Sequence, residues 1–394
     1  MKILRIIYDF ADKNVAAKGL GPGPYELSVA QGNRKDYEVF VLTGNLNGKN
    51  LKEFRFHYDL CNGKVHVYNL PRALWKFGPF LTSSVLVLPY YLFLKIFKHI
   101  DVVHNQQQMG VWFLLYKKVF GRLDKTPVVH SNHGPIIARE KKLLEQNVKL
   151  PFMTKYFEYP IHRLSDYLST VVSDTLIAVS ENTKNELIEL YHPKIPIGII
   201  ENAVNTQKFT RDGKKEDFGF GKGSIILANG GRLSKRKNID FIVESLKYLD
   251  KRYKLVIWGE WDEKDFKDSI DKIVRKNNLS TRYKYIGIKP YWIVDNYFRS
   301  MDVFVLPSNH EGLPKVVLEA LSCGAKVVAS GFKLEHAVKN LYMLQEVNPK
   351  TIADAVIRAS HEKDYYLSTR KVIDTFYSWD SKAEEYHKVF KKFL

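Results

Sequence analysis

The sequence is short of cysteine, with only Cys61 and Cys323 among 394 residues. The two lie far apart and no histidine pattern accompanies them, so we expect neither a disulfide framework nor a structural zinc site, and a reducing compartment suits the chain. The 23 glycines and 15 prolines follow no period, which excludes collagen-like and linker-like chains. A chain of this length can bury a large core and predicts roughly two to three domains.

Long hydrophobic runs are also scarce. The segment Met1–Ile7 has charges inside a short apolar run and no small-residue cleavage site, so it predicts a first strand rather than a targeting segment. The stretch Phe77–Leu94 carries no charge, but Gly78, Pro79 and Pro89 interrupt it. We interpret it as a buried helix with an irregular start, and a membrane-dipping element is the alternative.

Positive charge is in excess, with 61 Lys and Arg against 43 Asp and Glu and a formal net charge of +18. Such a surplus attracts nucleic acid, phosphate ligands or an acidic membrane face. The excess is spread evenly along the chain, without a basic tail. Composition therefore indicates an anionic partner without selecting one.

Apolar strand-like runs alternate with amphipathic helical stretches along the whole chain, which predicts α/β units with parallel sheets. One series of strands precedes the stretch Asn205–Gly223 and a second follows it. This stretch is rich in Gly, Lys and Asp, so we expect an exposed connection. The prediction is two doubly wound domains, with ligands in a cleft at the carboxyl ends of the strands.

The segment Val303–Ser330 combines a strand, a polar loop and a helix. We expect Pro314 at the first helical position and Gly324 just past the helix end, so that free N–H groups at the helix start can bind phosphate. Glu311 in the loop and Glu319 on the helix offer carboxylates that can accept hydrogen bonds from a ribose or sugar. Alternatively, both are solvent-facing glutamates that flank the helix.

A second segment places glycines and cations at the end of a strand. It contains Gly230, Gly231, Arg232, Lys235, Arg236 and Lys237. Glycine lets the backbone approach a ligand closely, and Arg and Lys bind phosphate oxygens. Asn238 is expected to cap the helix that follows. Four crowded cations repel each other unless an anion lies among them, so we expect a bound anion here, with a solvated loop as the alternative.

These motifs resemble those of the retaining glycosyltransferases of family 4, which have the GT-B fold. The matching residues are Glu311-Gly312-Leu313-Pro314 followed by Glu319, an E-x7-E arrangement, and Gly231-Arg232-Leu233 with Lys237. The resemblance covers nearly the whole chain. Further matching segments are Val179–Lys184, Glu201–Asn205 with Phe209, and Trp379 in the last helix.

The resemblance implies two Rossmann-like domains that face a central cleft. Residues 1–204 would form the acceptor-binding domain, and a C-terminal helix at 380–394 would pack back on it. Residues 205–379 would form the domain that binds the nucleotide-sugar donor.

The resemblance also implies roles for side chains in the second domain. Arg232 and Lys237 would hold the donor diphosphate and stabilise it as a leaving group. Glu319 would bind the ribose hydroxyls, and Glu311 would lie beside the transferred sugar.

Backbone groups and a histidine complete the implied site. The N–H groups of Gly312 and Leu313 would assist at the sugar, and Ile288 would contact the base through its backbone. His133 in the first domain would lie against the transferred sugar, with a structural hydrogen-bonding role as the alternative. His130 is expected to be buried support.

The chain departs from the family pattern in two places. Ala203 and Asn205 stand where the family has Gly and Asp, and the glycine-rich loop Gly19–Gly23 is not a plain Gly-Gly. Gly21 is assigned as the glycine that approaches the diphosphate. The loop is not G-x-G-x-x-G either, so no nicotinamide site is expected.

The sequence contains no Asp-x-Asp triplet, so metal-dependent transfer lacks its carboxylate clamp, and we expect no metal and no cofactor besides the donor substrate. The implied reaction moves a hexosyl or N-acetylhexosaminyl group from a nucleotide-diphosphate sugar, by default a UDP-sugar, to a glycan or lipid-linked hydroxyl. Retention through an oxocarbenium-like species is favoured, and a glycosyl-enzyme intermediate stays open. The alternatives are a nucleotide-sugar epimerase of GT-B fold and a nucleic-acid-binding protein.

Residues 111–165 carry 10 basic and 4 acidic side chains among many aromatic ones. This pattern suits an anionic membrane surface or a lipid-linked phosphate acceptor, and equally a core helix face with solvated lysines. The expected location is the cytoplasm or the cytoplasmic face of the membrane.

Overall fold

A computed structural model describes residues 1–10, 22–44, 56–71, 79–145, 152 and 154–394. The chain divides into two compact units. Unit 1 comprises Met1–Glu201 with Lys382–Leu394, and unit 2 comprises Asn202–Ser381. Each unit contains a sheet of mainly parallel strands, so the predicted α/β class is confirmed.

Unit 1 is built on an eight-stranded sheet. Its strands are β1 (Lys2–Ile7), β2 (Glu38–Thr43), β3 (His57–Leu60), β4 (Val65–Asn69), β5 (Val102–Gln106), β6 (Val128–Asn132), β7 (Thr175–Ala178) and β8 (Ile197–Ile199). Their order is β3-β4-β2-β1-β5-β6-β7-β8, and all neighbours are parallel except β3, which is antiparallel to β4. The central strands are almost wholly buried, as expected where helices cover both faces of a sheet.

The described helices of unit 1 connect these strands. They are α1 (Pro22–Gly32), α2 (Pro79–Lys98), α3 (Val111–Phe120), α4 (Ile136–Glu145), α5 (Tyr159–Val172), which follows a π-helical turn at Thr154–Glu158, and α6 (Glu181–Tyr191).

Unit 2 is built on a six-stranded parallel sheet. Its strands are β9 (Ile225–Gly230), β10 (Tyr253–Trp258), β11 (Tyr283–Tyr285), β12 (Val303–Pro307), β13 (Lys326–Ser330) and β14 (Leu341–Met343), in the order β11-β10-β9-β12-β13-β14. Its helices are α7 (Ile239–Ser245), α8 (Lys264–Lys276), α9 (Val294–Arg299), α10 (Lys315–Ser322), α11 (Pro349–His361) and α12 (Tyr366–Phe376). Short 3₁₀ turns lie at Lys235–Lys237, Leu246–Tyr248 and Tyr291–Ile293.

In each sheet the strand order reverses around one central pair, β1 and β5 in unit 1 and β9 and β12 in unit 2. The connections of such a pair leave in opposite directions and open a crevice at the carboxyl ends of the strands, where doubly wound proteins bind ligands. In unit 2 the two segments that follow this pair are 231–238 and 308–314, which contain the two strongest sequence motifs. In unit 1 the segment after β1 includes Gly21, which lies outside the described residues.

One expectation about the chain path in unit 2 is wrong. The apolar run Tyr283–Ile288 predicts a strand, but β11 ends at Tyr285, and Gly287, which has a φ of +75°, turns the backbone out of the sheet. The stretch Asn205–Gly223 is mostly exposed, as expected, although Phe209 and Phe218 are buried in the core of unit 2.

The uncharged stretch Phe77–Leu94 falls largely within α2. Tyr91 and Leu94 are buried in the core, whereas Phe93 and Phe97 are exposed, so the helix is buried on one side only. Within the part of the chain that the structure describes, no helix combines the length and apolarity that crossing a membrane requires.

The last helix, α13 (Trp379–Phe390), precedes a 3₁₀ turn at Lys391–Phe393. Its C-terminal part belongs to unit 1. The Tyr386 hydroxyl lies 3.0 Å from Ser131 Oγ on β6, and Arg34 donates to Glu384 at 2.7 Å. The end of the chain is therefore an integral part of the unit 1 core.

We expect Phe390→Ala to lower the free energy of unfolding by about 3–5 kcal/mol. The Phe390 ring is fully buried, with centroids 5.4 Å from His104 and 5.8 Å from Tyr386, so truncation leaves a cavity. Urea unfolding followed by circular dichroism measures the loss. Lys391→Ala, at the next and exposed position, is the control and should change little. A loss below about 1 kcal/mol for Phe390→Ala would contradict the buried role.

Candidate functional site

Two loops meet at the strand switch of unit 2. We call residues 231–238 the cationic loop, since it follows β9 and contains four basic side chains, and residues 308–314 the acidic loop, since it follows β12 and contains Glu311. Strands β9 and β12 are neighbours, with Leu227 opposite Val303. Side chains that are about 75 residues apart in sequence therefore lie side by side.

Hydrogen bonds join the two loops. The Asn309 N–H donates to the Arg236 carbonyl oxygen at 3.0 Å, and the Arg236 guanidinium donates to the His310 carbonyl oxygen. The Asn238 amide donates to the Pro307 carbonyl oxygen and to Asn309 Oδ1, each at 2.7 Å. Asn238 was expected to cap α7, but its side chain makes no cap hydrogen bond and instead joins the loops.

Glu311 is held from three directions. Its carboxylate pairs with the Arg236 guanidinium at 2.8 Å and accepts a hydrogen bond from the Ser308 hydroxyl at 2.9 Å. Its N–H donates to the Gly331 carbonyl oxygen at 2.7 Å, which joins the acidic loop to the turn after β13. The side chain is 14% exposed, so the position and direction of its carboxylate are well defined. Sequence reasoning noted Arg236 as a cation but missed that it positions Glu311.

The cations of the cationic loop are mostly neutralised by the chain itself. Arg232 pairs with Asp262, Lys235 pairs with Glu263 at 2.8 Å, and Arg236 pairs with Glu311. The expectation that these cations need a bound anion to offset their repulsion is therefore wrong. The Arg232 side chain is 70% exposed, and an exposed ion pair of this kind contributes little and exchanges readily.

Lys237 differs from the other three because it is buried, with 7% of its surface exposed. Burial lowers the pKa of its ammonium group, and the Glu311 carboxylate acts in the opposite direction. A Cβ atom added at Gly231 would lie 3.7 Å from Lys237 Nζ, so the ammonium lies directly beside this glycine. The arrangement places a shielded cation against bare backbone, where a ligand can approach closely.

Positive φ angles, together with close packing at one position, account for two glycines of the site. Gly231 has a φ of +102° and Gly259, which follows β10, has a φ of +130°. A Cβ atom at Gly259 would lie 1.6 Å from the Gly231 carbonyl oxygen, so no other residue fits. The Gly259 N–H donates to the Gly287 carbonyl oxygen at 3.0 Å, which links this layer to the segment of Ile288. Ile288 itself is 62% exposed beside that turn.

Helix α10 follows the acidic loop. It begins at Lys315, and Pro314 occupies the preceding cap position with extended backbone rather than the expected first helical position. At the other end Gly324 has a φ of +89°, and the hydrogen bonds from Gly324 N–H to the Leu321 carbonyl and from Ala325 N–H to the Ala320 carbonyl terminate the helix as expected.

Glu319 lies on α10 and is only 7% exposed, so it is not the solvent-facing glutamate of the alternative interpretation. In the acidic loop Leu313 is buried, and its carbonyl oxygen accepts a hydrogen bond from Asn202 Nδ2 at 3.3 Å. Gly312 beside it is exposed. The loop thus has one anchored residue and one accessible residue next to Glu311.

In unit 1, His133 follows β6 and is half-buried. The Asn132 side chain accepts a hydrogen bond from the Gly134 N–H at 2.8 Å, and Gly134 has a φ of +123°, so the turn that carries His133 is tightly defined. His130, within β6, is buried beside Asn105, and burial lowers its pKa to about 3, as expected for a support residue.

A buried carboxylate near His133 was missed by the sequence analysis. Asp166 on α5 accepts hydrogen bonds from the Ile136 N–H at 2.7 Å and from Gln108 Nε2 at 3.0 Å. It therefore connects the turn after β6 to the turn after β5. Burial raises the pKa of Asp166 to about 6. No local motif marks this residue, because its partners come from two distant segments.

Two clefts in unit 2 lie elsewhere. One of about 610 Å³ is lined by Lys254 and Arg282, and another of about 290 Å³ by Asp302 and Lys326. Both lie at the amino ends of the strands, opposite the carboxyl ends where doubly wound sheets bind ligands. The linked loops, rather than these clefts, therefore define the candidate site.

Comparison with protein families identifies the chain. Residues 25–208 match Glycosyltransferase Family 4, and residues 210–373 match Glycosyl transferases group 1. The chain belongs to glycosyltransferase family 4. This glycosyltransferase has the GT-B fold that the resemblance implied, and neither an epimerase nor a nucleic-acid-binding protein is favoured.

Three known proteins illustrate the similarity. The glycosyltransferase is 27% identical to an uncharacterized glycosyltransferase of Methanocaldococcus jannaschii, over 99% of this chain and 98% of the relative. It is 28% identical to the UDP-Gal:alpha-D-GlcNAc-diphosphoundecaprenol alpha-1,3-galactosyltransferase of Escherichia coli, over 77% of each chain. Its fold matches that of Anabaena HepE, solved in complex with UDP-glucose, with a TM-score of 0.67, 15% identity and full coverage of both chains.

We expect Lys237→Met to raise the free energy of unfolding of this glycosyltransferase by about 1 kcal/mol at neutral pH. A lowered pKa means that the folded protein binds the proton less tightly than the unfolded chain. Charged Lys237 therefore destabilises the folded protein fully at pH values below its folded pKa. This destabilisation fades as the pH rises towards the pKa of the unfolded chain. Thermal and urea unfolding measure the gain. Lys235→Met, at an exposed position of the same loop, should leave stability unchanged, and a destabilised Lys237→Met would refute the prediction.

Proposed function

We propose that this glycosyltransferase is a retaining hexosyltransferase. It moves a hexosyl or N-acetylhexosaminyl group from a nucleotide-diphosphate sugar, here a UDP-sugar, to a hydroxyl of a glycan or lipid-linked acceptor. The observation that carries the proposal is the joined pair of loops at the strand switch of unit 2, where Arg236 fixes Glu311 at 2.8 Å. The UDP-galactose named for the E. coli relative and the UDP-glucose bound by HepE support the choice of UDP.

The donor diphosphate binds at the cationic loop in this proposal. Lys237 supplies a shielded positive charge beside Gly231, where the missing side chain leaves room for phosphate oxygens. Arg232 exchanges its exposed pair with Asp262 for the diphosphate, a change that costs little. As the bond to the sugar breaks, both cations stabilise the negative charge that develops on the leaving group.

The nucleoside lies beside α10 and the segment after β11. Glu319 accepts hydrogen bonds from the two ribose hydroxyls, and its shielded position strengthens those bonds relative to bonds made in water. The backbone of Ile288 contacts the base. Because this contact uses backbone groups, its hydrogen-bond pattern selects the base without a dedicated side chain.

The transferred sugar lies beside Glu311 and the N–H groups of Gly312 and Leu313 in this proposal, and the role proposed for His133 is also to bind this sugar. The acceptor hydroxyl oxygen forms a bond to the anomeric carbon while the bond from that carbon to the diphosphate oxygen breaks. The proton of the hydroxyl passes to the departing phosphate oxygen, so attack occurs on the face that the diphosphate leaves. Retention follows, and the chain's own cations take the place of a metal ion.

We expect UDP to raise the melting temperature of the protein, with or without EDTA, in a panel that also contains GDP, ADP and CMP. A ligand at 100 times its dissociation constant stabilises by about 2.7 kcal/mol, which is readily measured. Glu319→Ala should abolish the shift because the ribose loses its acceptor.

Asp268→Ala, which removes an exposed carboxylate on α8, serves as the control and should keep the full shift. If only another nucleotide raises the melting temperature, the donor carries that nucleotide rather than UDP. A shift that requires a divalent metal would reject the metal-free site, and no shift with any nucleotide would reject the donor site itself.

The acceptor side of the proposal rests on an exposed apolar surface in unit 1. We call it the apolar face, formed by neighbouring helices α2, α3 and α5. Its exposed side chains are Val85, Phe93, Ile96, Phe97, Leu115, Val119, Phe120, Leu123, Leu164, Tyr167 and Val171. Three basic side chains are exposed beside the apolar side chains of α3 and of the segment that follows it: Lys118, Arg122 and Lys125. Apolar side chains framed by cations suit the cytoplasmic surface of an anionic membrane, where a lipid-linked acceptor is presented.

We expect the protein to sediment with vesicles of anionic phospholipid at low salt and less with neutral vesicles. Ile96→Ser with Phe97→Ser should lower binding about tenfold or more, since both side chains are about 65% exposed and available to insert. Leu367→Ser, which changes an 83% exposed leucine in unit 2, is the matched control. Equal sedimentation of the double variant and the wild type would count against the apolar face as the contact.

A further inference from the structure

The edge of the unit 1 sheet carries a hairpin that the sequence analysis did not predict. Strand β3 turns into β4 through Cys61, Asn62 and Gly63, all of which have positive φ angles. The Asn-Gly pair at this turn is a strong hairpin signal and was available in the sequence. In the hairpin Asp59 lies opposite His66, and His57 lies opposite Tyr68.

The pairing brings two imidazoles and a carboxylate onto one face. His57 and Asp59 are two residues apart on β3 and so project to the same side, where His66 joins them from β4. Asp59 Oδ1 lies 3.3 Å from His57 Nε2 and 2.7 Å from His66 Nδ1. One ligand atom from each of the three residues lies within 4.8 Å of the other two.

A second carboxylate fixes the orientation of His66. Glu38 on β2 places Oε1 at 3.2 Å from His66 Nε2, the ring nitrogen on the far side from Asp59. The Phe40 ring stacks on the imidazole with a centroid distance of 4.8 Å. Histidines that bind metals commonly donate their second ring N–H to a carboxylate, which fixes the tautomer and leaves the other nitrogen free for the ion. His66 therefore has the surroundings of a metal ligand.

We propose that His57, Asp59 and His66 bind one divalent transition-metal ion, with zinc as the best match. Two imidazoles and one carboxylate are a donor set that zinc accepts, with water in the remaining position. Tetrahedral bonds of about 2.0–2.1 Å place neighbouring ligand atoms about 3.3 Å apart. Here the separations from Asp59 Oδ1 are 3.3 and 2.7 Å, and all three ligand atoms lie within 4.8 Å of one another. The side chains are 39%, 45% and 18% exposed, so an ion reaches them from solvent with only side-chain adjustment.

The site is separate from the proposed transfer site and uses none of its residues. Reasoning from cysteines led us to expect no structural zinc, but a set of histidines and aspartate does not depend on cysteine. A bound ion would join the edge strand β3 to β4 by side chains as well as by backbone. Its consequence is a more stable hairpin edge rather than a step in transfer.

Calorimetric titration with zinc tests the proposal, using the full chain without a polyhistidine tag and after removal of metals with EDTA. We expect one zinc ion per wild-type chain and a visible-range spectrum of tetrahedral cobalt when Co²⁺ replaces it. His57→Ala with His66→Ala should weaken zinc binding about 100-fold or more, and Glu38→Gln about tenfold. Circular dichroism of each variant checks that the fold is intact.

His361→Ala, which removes an exposed histidine of unit 2, is the control and should bind zinc as the wild type does. No stoichiometric zinc in the wild type, or equal affinity in the double variant, would overturn the site. Unchanged affinity in Glu38→Gln would overturn the orienting role of Glu38. Nucleotide-induced melting shifts should be the same in all these variants, which separates this result from the proposed transferase function.

Discussion

The candidate site depends on the ion pair between Arg236 and Glu311, because it joins two loops that the fold brings together but the sequence keeps far apart. Guanidinium suits this position, since its planar set of donors meets the Glu311 carboxylate and the His310 carbonyl oxygen at once. A partly exposed pair contributes little free energy alone. The hydrogen bonds of Asn238 and Asn309 also hold the two loops together. The relative position of the loops is therefore set by the whole network rather than by one bond.

The same network explains why the site contains features that do not stabilise the fold. Gly231 and Gly259 lose more backbone entropy on folding than other residues would. Both have positive φ angles, and the backbone at Gly259 packs too closely on Gly231 for a Cβ. Lys237 is desolvated beside them, with its charge offset only in part. Folding has already removed the Lys237 ammonium from water. A ligand that brings negative charge to this point would therefore offset the unfavourable free energy of that desolvation. Preorganisation of this kind favours stabilisation of developing charge over tight packing of the site.

The sequence predicted what short-range chemistry determines. Apolar runs between amphipathic helical stretches identified most strands, and Gly324 identified the end of α10. The glycine and glutamate motifs identified the two loops. It did not predict the partners of Arg232, Arg236 or Asp166, because those pairings depend on strand order and join distant segments. The turn at Asn62 could have been predicted from its Asn-Gly pair. The short strands beside it are only partly buried, however, and lack the apolar run that identified the other strands.

The distribution of charge separates the two kinds of anion that the +18 surplus suggested. In the cationic loop three of four basic side chains pair with carboxylates, so the loop offers directional donors with a small net charge. In the proposed function such a site would recognise a diphosphate by geometry and would need no strong long-range field. Exposed cations beside the apolar face of unit 1 have the opposite character, since they attract an extended anionic surface without selecting a particular phosphate. The surplus of positive charge therefore suits the proposed contact with an anionic surface better than the proposed binding of a donor diphosphate.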